Sequence, residues 1–372
     1  MLSFTALRAV AAEPQANDAK PAPDMIIFTN GDQLTGTMER GVGDSVLFKS
    51  DMAGELTIPL AKIKELRVGG SFAVLRKHAP VTKSGVQPGT IQYADGAIKV
   101  SSSTGPVETV LVKDLAYIID APTYQNELIS SPGFLHGWTG TATGGATVVQ
   151  STQTGSTYNV GIALVRAIPT VSYIPRRNRT IFDLSETYGK QTQPVIPQTT
   201  PASPDLVTKT NIFHTDIERD QYFSPKFYAL ADASFDHNYS QALNLQEIYG
   251  VGIGYTVLQT PIQQLDVKAD IHYEKQYFQV SANDANLVGA SIGENYLRNL
   301  PRKMIFTESA VIIPAFNNAS AYSALLSAGL ALPVYHRFSA NFAVSDSFLN
   351  NPPAGYKKNS FQFVTGLAYT FH

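Results

Sequence analysis

Several groups of side chains have the residue types and spacing for chemistry. Asp270, His272 and Glu274 occupy alternate positions in one β-rich stretch, so they share a face, as a metal site or proton relay would need. His214, Asp216, Glu218 and Asp220 repeat that arrangement. Gly250, Gly252 and Gly254 in YGVGIGY have the glycine density of a phosphate turn. No helix pattern follows them, and an anion turn needs a helix N-terminus, so they read as close-packing positions on one strand face. Among the histidines His237 takes the opposite, apolar phase. No serine or carboxylate accompanies it into a hydrolytic triad, so it reads as a rim residue. No catalytic, cofactor-binding or metal-ligating residue is therefore assigned. Charges lining a wet interior explain the two histidine clusters equally well.

All of these residues lie on segments of alternating hydrophobicity. In QLDVKADIHYEKQY, Leu265, Val267, Ala269, Ile271, Tyr273 and Tyr277 alternate with Gln264, Asp266, Lys268, Asp270, His272, Glu274 and Gln276. The closing SFQFVTGLAYTFH sets Phe361, Phe363, Leu367, Tyr369 and Phe371 against Ser360, Gln362, Gly366, Ala368 and Thr370. Similar stripes run through Tyr158–Leu164, Tyr249–Val257, Tyr322–Leu332 and Phe338–Val344. In a soluble sheet the apolar face meets a core, whereas in a membrane barrel it meets lipid. No apolar run approaches the roughly 18 residues of a spanning helix, so any membrane crossing falls to strands, and each stripe is close to the length a tilted strand needs.

Composition agrees. The 27 glycines, 22 prolines and 18 tyrosines fit short strands, many turns and a water-to-lipid interface. With no cysteine, disulfides, thiolate catalysis, Cys-based zinc sites and Cys-attached haem are excluded. A net charge of -2 gives no sign of a nucleic-acid partner.

The chain divides into four parts. Residues 1–23 read as a truncated signal peptide, with a small-residue site ending at Ala11, followed by a Pro/Ala linker. Residues 24–122 read as a small β-rich periplasmic domain. Within it GTMERGVGDSVLFKSDMAGELTIPLAKIKEL recurs as GTIQYADGAIKVSSSTGPVETVLVKDLAYII, pairing Gly36 with Gly89, Ile63 with Leu115 and Leu66 with Ile118. Asn30-Gly31 between two β-rich runs predicts a two-residue type I′ turn. Residues 123–135 read as a linker. Residues 136–372, opened by the single tryptophan Trp138, read as the barrel.

With both ends of the barrel on the periplasmic side, turns after even-numbered strands should be short. FSPK (223–226), TPI (260–262), NLPR (299–302) and VYHR (334–337) are, while 190–206 and 279–288 are long; IPTVSYIPRRN is the exception. The fold class is thus all-β, an antiparallel transmembrane β-barrel of about twelve strands behind a small repeated β domain. Ten or fourteen strands also fit.

On this phase Asp232, Asp236, Asp266, Asp270 and Glu274 line the lumen, with Asp216, Glu218 and Asp220 beside them and Lys268 as the main inward cation nearby. A one-sided acidic stripe favours small cations, although a hydrogen-bonded lumen that conducts nothing fits as well. In this reading Ile271 faces lipid and Asp270→Asn barely affects folding. Gly366, Leu367, Tyr369 and Phe371 look like a C-terminal signal read by the barrel assembly machinery, with His372 as an overhang.

The motifs NGDQLTG, GWTGTATGG, GSTYN, GIGYTVLQTPIQQLDVKADIHYEKQYF and GLAYTF resemble the YdiY-like salt-induced outer membrane proteins over nearly the whole chain. The residue after the terminal aromatic is a departure. The resemblance implies an outer-membrane barrel in a Gram-negative envelope, in contact with outer-membrane lipid, and leaves its chemistry open.

The expected function is that of a non-catalytic structural or narrow pore-forming component of the envelope, without cofactors. A soluble exported all-β binding protein, for carbohydrate or an envelope partner, is the alternative, and an outer-membrane enzyme a more distant one.

Overall fold

Alternation with period two produces strands throughout, and the chain folds them into two different β structures. The computed structural model describes residues 23–77, 86–102, 105–130, 132–151, 153–195 and 204–371. The signal-like segment and His372 lie outside the described residues. Two compact units, Met1–Ser131 and Pro132–His372, make up the chain.

The first unit contains β1 (Asp24–Phe28), β2 (Gln33–Val42), β3 (Ser45–Ser50), β4 (Gly54–Pro59), β5 (Ile63–Arg76), β6 (Gly89–Ala94), β7 (Ala97–Ser101), β8 (Glu108–Leu111) and β9 (Leu115–Asp120). Its repeat is visible in the element order: β2-β3-β4, a 3-10 turn at Leu60–Lys62 and β5 correspond to β6-β7-β8, a turn at Val112–Asp114 and β9. Gly36 and Gly89 do the same work in the two copies. A Cβ on Gly36 would lie 2.2 Å from the Lys49 carbonyl oxygen, and one on Gly89 would lie 2.4 Å from that of Ser101. β1 pairs with β2 and β5, and β9 pairs with the same two strands, which closes a four-strand ring. Ile26, Phe48, Leu60, Leu66, Leu115 and Ile118 fill its core. Tyr93 donates its hydroxyl to the Leu60 carbonyl at 3.1 Å, and burial pushes its pKa up.

Two details differ from the sequence expectation. The turn after β1 is not a two-residue type I′ turn. That turn needs positive φ at both central residues, but here Gly31 alone is left-handed, at φ 92°. The Gly31 N–H donates to the Phe28 carbonyl and the Phe28 N–H to the Asp32 carbonyl, so three residues form the loop. From the end of the stretch read as the first domain into the one read as a linker, Ala121–Thr123 and Tyr124–Ile129 are helical, Asp120 caps them through the Thr123 N–H, and Tyr124 and Leu128 are buried.

The second unit is a closed antiparallel barrel of twelve strands. They are β10 (Trp138–Gln150), β11 (Thr154–Ile168), β12 (Asn178–Gln193), β13 (Leu206–Tyr222), β14 (Phe227–Asn238) and β15 (Leu243–Gln259). β16 (Gln263–Phe278), β17 (Ala285–Asn299), β18 (Ile305–Pro314), β19 (Tyr322–Tyr335), β20 (Phe338–Leu349) and β21 (Asn359–Phe371) complete it. β21 pairs with β10, so no edge is left open. The outer face is apolar, with Ile271 62% and Phe361 69% exposed, whereas Glu218 and Asp220 on the inward phase are 1% and 0% exposed. A soluble sandwich would hide those apolar faces between sheets. An apolar exterior around a polar interior is the requirement of a barrel in lipid.

Candidate functional site

The barrel encloses a cavity of about 1260 Å³ whose walls differ in chemistry. β12 to β16 line it with Arg179, Asp183, His214, Asp216, Glu218, Asp232, Asp236, Asp266, Lys268, Asp270 and His272. From β10, β11 and β18 to β20 come Thr139, Thr141, Thr143, Gly161, Ala163, Thr307, Ser309, Ser327 and Ser345. Glu308 and Asp346 also border the cavity, but their strand positions are opposite Tyr296 and the lipid-facing Phe361.

Arg179 is the hub of the charged wall. Its Nε donates to Asp220 Oδ2 at 2.6 Å and its Nη1 to Asp266 Oδ2 at 2.7 Å, and Nη2 lies 3.9 Å from Glu218 Oε1. The contact with Asp266 joins β12 to β16 across the lumen. Tyr222 and Tyr228 place their rings 6.0 and 5.3 Å from the guanidinium, within cation–π range. Asp266 also accepts from Thr256 Oγ1 at 2.6 Å and from Gln264 Nε2 at 2.7 Å. The β11–β12 connection joins in, as Arg176 Nη2 donates to Gln264 Oε1 at 3.3 Å. That link gives the one long turn on its side of the barrel a structural role.

The ion pairs continue along the wall. Lys268 donates to Glu218. His214 Nδ1 lies 2.6 Å from Asp236 Oδ1, and its Nε2 3.4 Å from Asp216 Oδ1. His272 Nδ1 lies 2.8 Å from Asp270 Oδ1, and the Ser291 hydroxyl donates to the same carboxylate. Glu274 Oε2 stands 4.0 Å from His272 Nε2, while Glu274 Oε1 accepts from Gln276 Nε2 at 2.7 Å. Among the described residues no three such groups converge with metal-binding geometry.

The glycine run makes room for these side chains. A Cβ on Gly254 would lie 2.1 Å from Cζ of Tyr228, and one on Gly250 would lie 2.5 Å from Asp232 Oδ1. His237 is at the end of β14, its Nδ1 2.8 Å from the Asn244 carbonyl oxygen.

The structure therefore gathers Asp266 and Asp220 around Arg179, and Asp270 and Glu274 around His272, while Asp232 Oδ1 is buried without a partner among the described residues. Because Asp270 holds both His272 and Ser291, the expectation that Asp270→Asn barely affects folding does not fit. Lys268 is not alone either. Arg179 is the more connected cation, and in the sequence it is hidden in IPRRNR, where it resembles a rim charge; its phase, shared with Ile181, Asp183 and Ser185, is the signal that could have found it.

At the closing seam Phe371 pairs with Gly140, Tyr369 with Ala142 and Leu367 with Gly144. A Cβ on Gly366 would lie 2.4 Å from the Gly144 carbonyl oxygen, so the strand needs glycine there.

No curated protein matches the sequence. Solved structures similar to the chain include the NanC porin, at 5% identity and a TM-score of 0.37 over 63% of this chain and 100% of that one. The translocator domain of the autotransporter NalP from Neisseria meningitidis matches at 11% identity and a TM-score of 0.32, over 62% of this chain and 87% of that one. OprB from Pseudomonas putida matches at 7% identity and a TM-score of 0.25, over 63% and 93%. Residues 175–371 match the family model described as a protein of unknown function, DUF481, and on that match, which takes in most of the barrel, the chain belongs to this family of YdiY-like outer-membrane proteins.

Proposed function

We propose that this outer-membrane β-barrel is non-catalytic and offers small cations a narrow passage, with its N-terminal β unit in the periplasm. The carrying observation is the division of the lumen wall. Carboxylates on β12 to β16 outnumber the fixed cations Arg176, Arg179 and Lys268, and they face a wall of small and hydroxyl side chains across a cavity. Such a wall draws cations and repels anions. The Arg179 bridge narrows the passage, so the permeant class is small ions.

Conductance in planar lipid bilayers under a salt gradient tests this reading. The expected reversal potential is cation-preferring. Asp216 and Asp232 are the carboxylates to neutralise, because Asp266 and Asp270 anchor Arg179 and His272 and their loss would disturb the fold. Asp216→Asn with Asp232→Asn should weaken the preference. Silent bilayers would leave a structural barrel, and anion preference would reverse the reading. Protease treatment of intact cells, with an antibody to residues 24–122, tests the placement of the first unit, which should stay uncut until the outer membrane is opened.

The same reading assigns Gly366, Leu367, Tyr369 and Phe371 to recognition by the barrel assembly machinery. The strand bearing them must meet β10 for the barrel to close, because an open edge in lipid leaves backbone groups unpaired.

A further inference from the structure

One row of residues on the outer wall departs from the apolar pattern. Trp138 pairs with Arg166, Arg166 with Thr180, and Thr180 with Arg219. These positions share the outward phase of Tyr158 and Ile162 on β11 and of Ile217 on β13, all of which are exposed. They lie within a few residues of the β11–β12 and β13–β14 connections, at the rim where headgroups meet the barrel.

The two arginines stand on one outward row, two strands apart. Strands lie about 4.8 Å apart, so their backbones, two strands from each other, are about 10 Å apart, a span that one headgroup between two long side chains can bridge. Arg219 Nη1 donates to Thr180 Oγ1 at 2.6 Å. Arg166 is 7% exposed and is anchored on backbone carbonyls: Nε donates to His136 at 2.8 Å, and Nη2 to Pro132 at 2.8 Å and Gly133 at 3.1 Å. Among the described residues the barrel arginine and lysine in ion pairs are Arg179 and Lys268, and neither Arg166 nor Arg219 has a carboxylate within pairing distance. Two guanidiniums on one outward row, without a carboxylate to balance them among the described residues, leave a positive rim that favours an anion. The anion present at this depth of a bilayer is a phosphodiester, which guanidinium donors fit in both charge and geometry.

Aromatics flank the pair. The Trp138 indole N–H donates to the Phe134 carbonyl at 2.8 Å, and the two rings meet edge to face at 5.8 Å. Aromatics of this kind favour the glycerol level of a bilayer. Arg298 provides the contrast. It also lies at the end of an outward phase, on β17, but its cross-strand partners are Gln263 and Phe306, neither of them a cation.

We propose that Arg166 and Arg219 bind the phosphate of a membrane phospholipid, with Trp138 and Phe134 against its glycerol and upper chains. The choice of leaflet rests on the topology proposed above; the site itself does not.

Native mass spectrometry of the full-length protein in detergent, titrated with phosphatidylglycerol, tests the site. One lipid should be retained more tightly than the rest. Arg219→Gln should weaken that retention about tenfold, as loss of one charge-assisted contact implies. Arg166→Lys should also weaken it, and Arg298→Gln should leave it unchanged. Diacylglycerol, which lacks the phosphate, should not be retained. Heat-modifiable migration of Arg219→Gln confirms that the barrel has formed. Undiminished retention by folded Arg219→Gln, equal loss in Arg298→Gln, or equal retention of diacylglycerol would each overturn the proposal. Inorganic phosphate binding as tightly as the lipid would overturn it too, by showing a free-anion site. Conductance plays no part in the readout, so a silent lumen leaves the result intact.

Discussion

The two β units of this chain are written in the same alternating code and bury opposite things. In the N-terminal unit the phase that vanishes from the surface is Ile26, Phe48, Leu60 and Ile118. In the barrel it is Glu218, Asp220, Asp266 and Gln276, while Ile271, Phe361 and Phe363 stand outside. Period-two patterning dictates that a strand has two faces and says nothing about which face is inner. What decides is the surrounding solvent. A small ring of strands in water must hide its apolar face, whereas a ring in hydrocarbon exposes that face, pairs its backbone groups strand to strand and keeps its charged side chains within. The consequence is a difference in what each interior tolerates. Dispersion and desolvation stabilise the first core, where a deletion costs a cavity. The second is held by paired charges, where a deletion leaves a charge alone.

The largest expected effect uses that difference. Arg179→Leu strands Asp220 and Asp266 in a buried site and should destabilise the barrel by about 3–5 kcal/mol. Phe48→Ala in the first unit should cost a similar 3–5 kcal/mol or so through the cavity it leaves. The two losses differ in how they can be repaired. Adding Asp220→Leu and Asp266→Leu to Arg179→Leu should recover much of the barrel's stability, since removing a whole buried ion group can be nearly neutral. Urea midpoints of the barrel in lipid vesicles, and of the full chain for Phe48→Ala, measure both. A triple variant no more stable than the single one would mean that the lumen charges are not the barrel's equivalent of a core.

The next effect tests the faces themselves. Ile271 is midway along β16, so Ile271→Arg places a cation on the lipid side and should cost about 2–4 kcal/mol. Asp270→Asn on the neighbouring inward position should cost about 1–3 kcal/mol, because Asp270 holds both His272 and Ser291 and the amide can serve them only in part. Equal tolerance of Arg at 271 and at exposed loop sites would mean that Ile271 does not face lipid.

Much of this architecture is legible in the sequence for a physical reason. The stripes, from Leu265–Tyr277 to Phe361–Phe371, are local properties of each strand, and turn residues mark where each strand stops, so phase can be read off directly and strand number to within about two. Contacts across the lumen are not local. Arg179 and Asp266 are 87 positions apart and meet because β12 and β16 belong to a closed ring with a particular stagger, which no local pattern encodes. The same holds for Arg166 and Arg219, which share Thr180 only through the register of three strands. The Asn30-Gly31 turn failed for a smaller reason: the dipeptide fixes where a turn falls, but a type I turn followed by a left-handed glycine uses the same residues.

The smallest expected effect concerns where the barrel's first and last strands meet. The β10–β21 seam has register pairs only from Gly140 to Gly144, whereas β10 pairs with β11 along its full length from Trp138 to Gln150. Such a seam draws less support from backbone pairing than the other strand joints, so flanking side chains matter more. Phe371, opposite Gly140, supplies apolar area at the rim where the neighbouring glycine supplies none. Phe371→Ser should therefore cost about 1–2 kcal/mol of barrel stability from lost apolar burial. It should also lower the amount of heat-modifiable protein recovered in the outer membrane, because the strand it weakens is the one proposed to be read during assembly. Comparing folded yield in cells with refolding into vesicles separates the two contributions. A stability loss in vesicles with normal yield in cells would confine Phe371 to the seam and remove it from the assembly signal. Normal behaviour in both would show that the first and last strands close through their backbones alone.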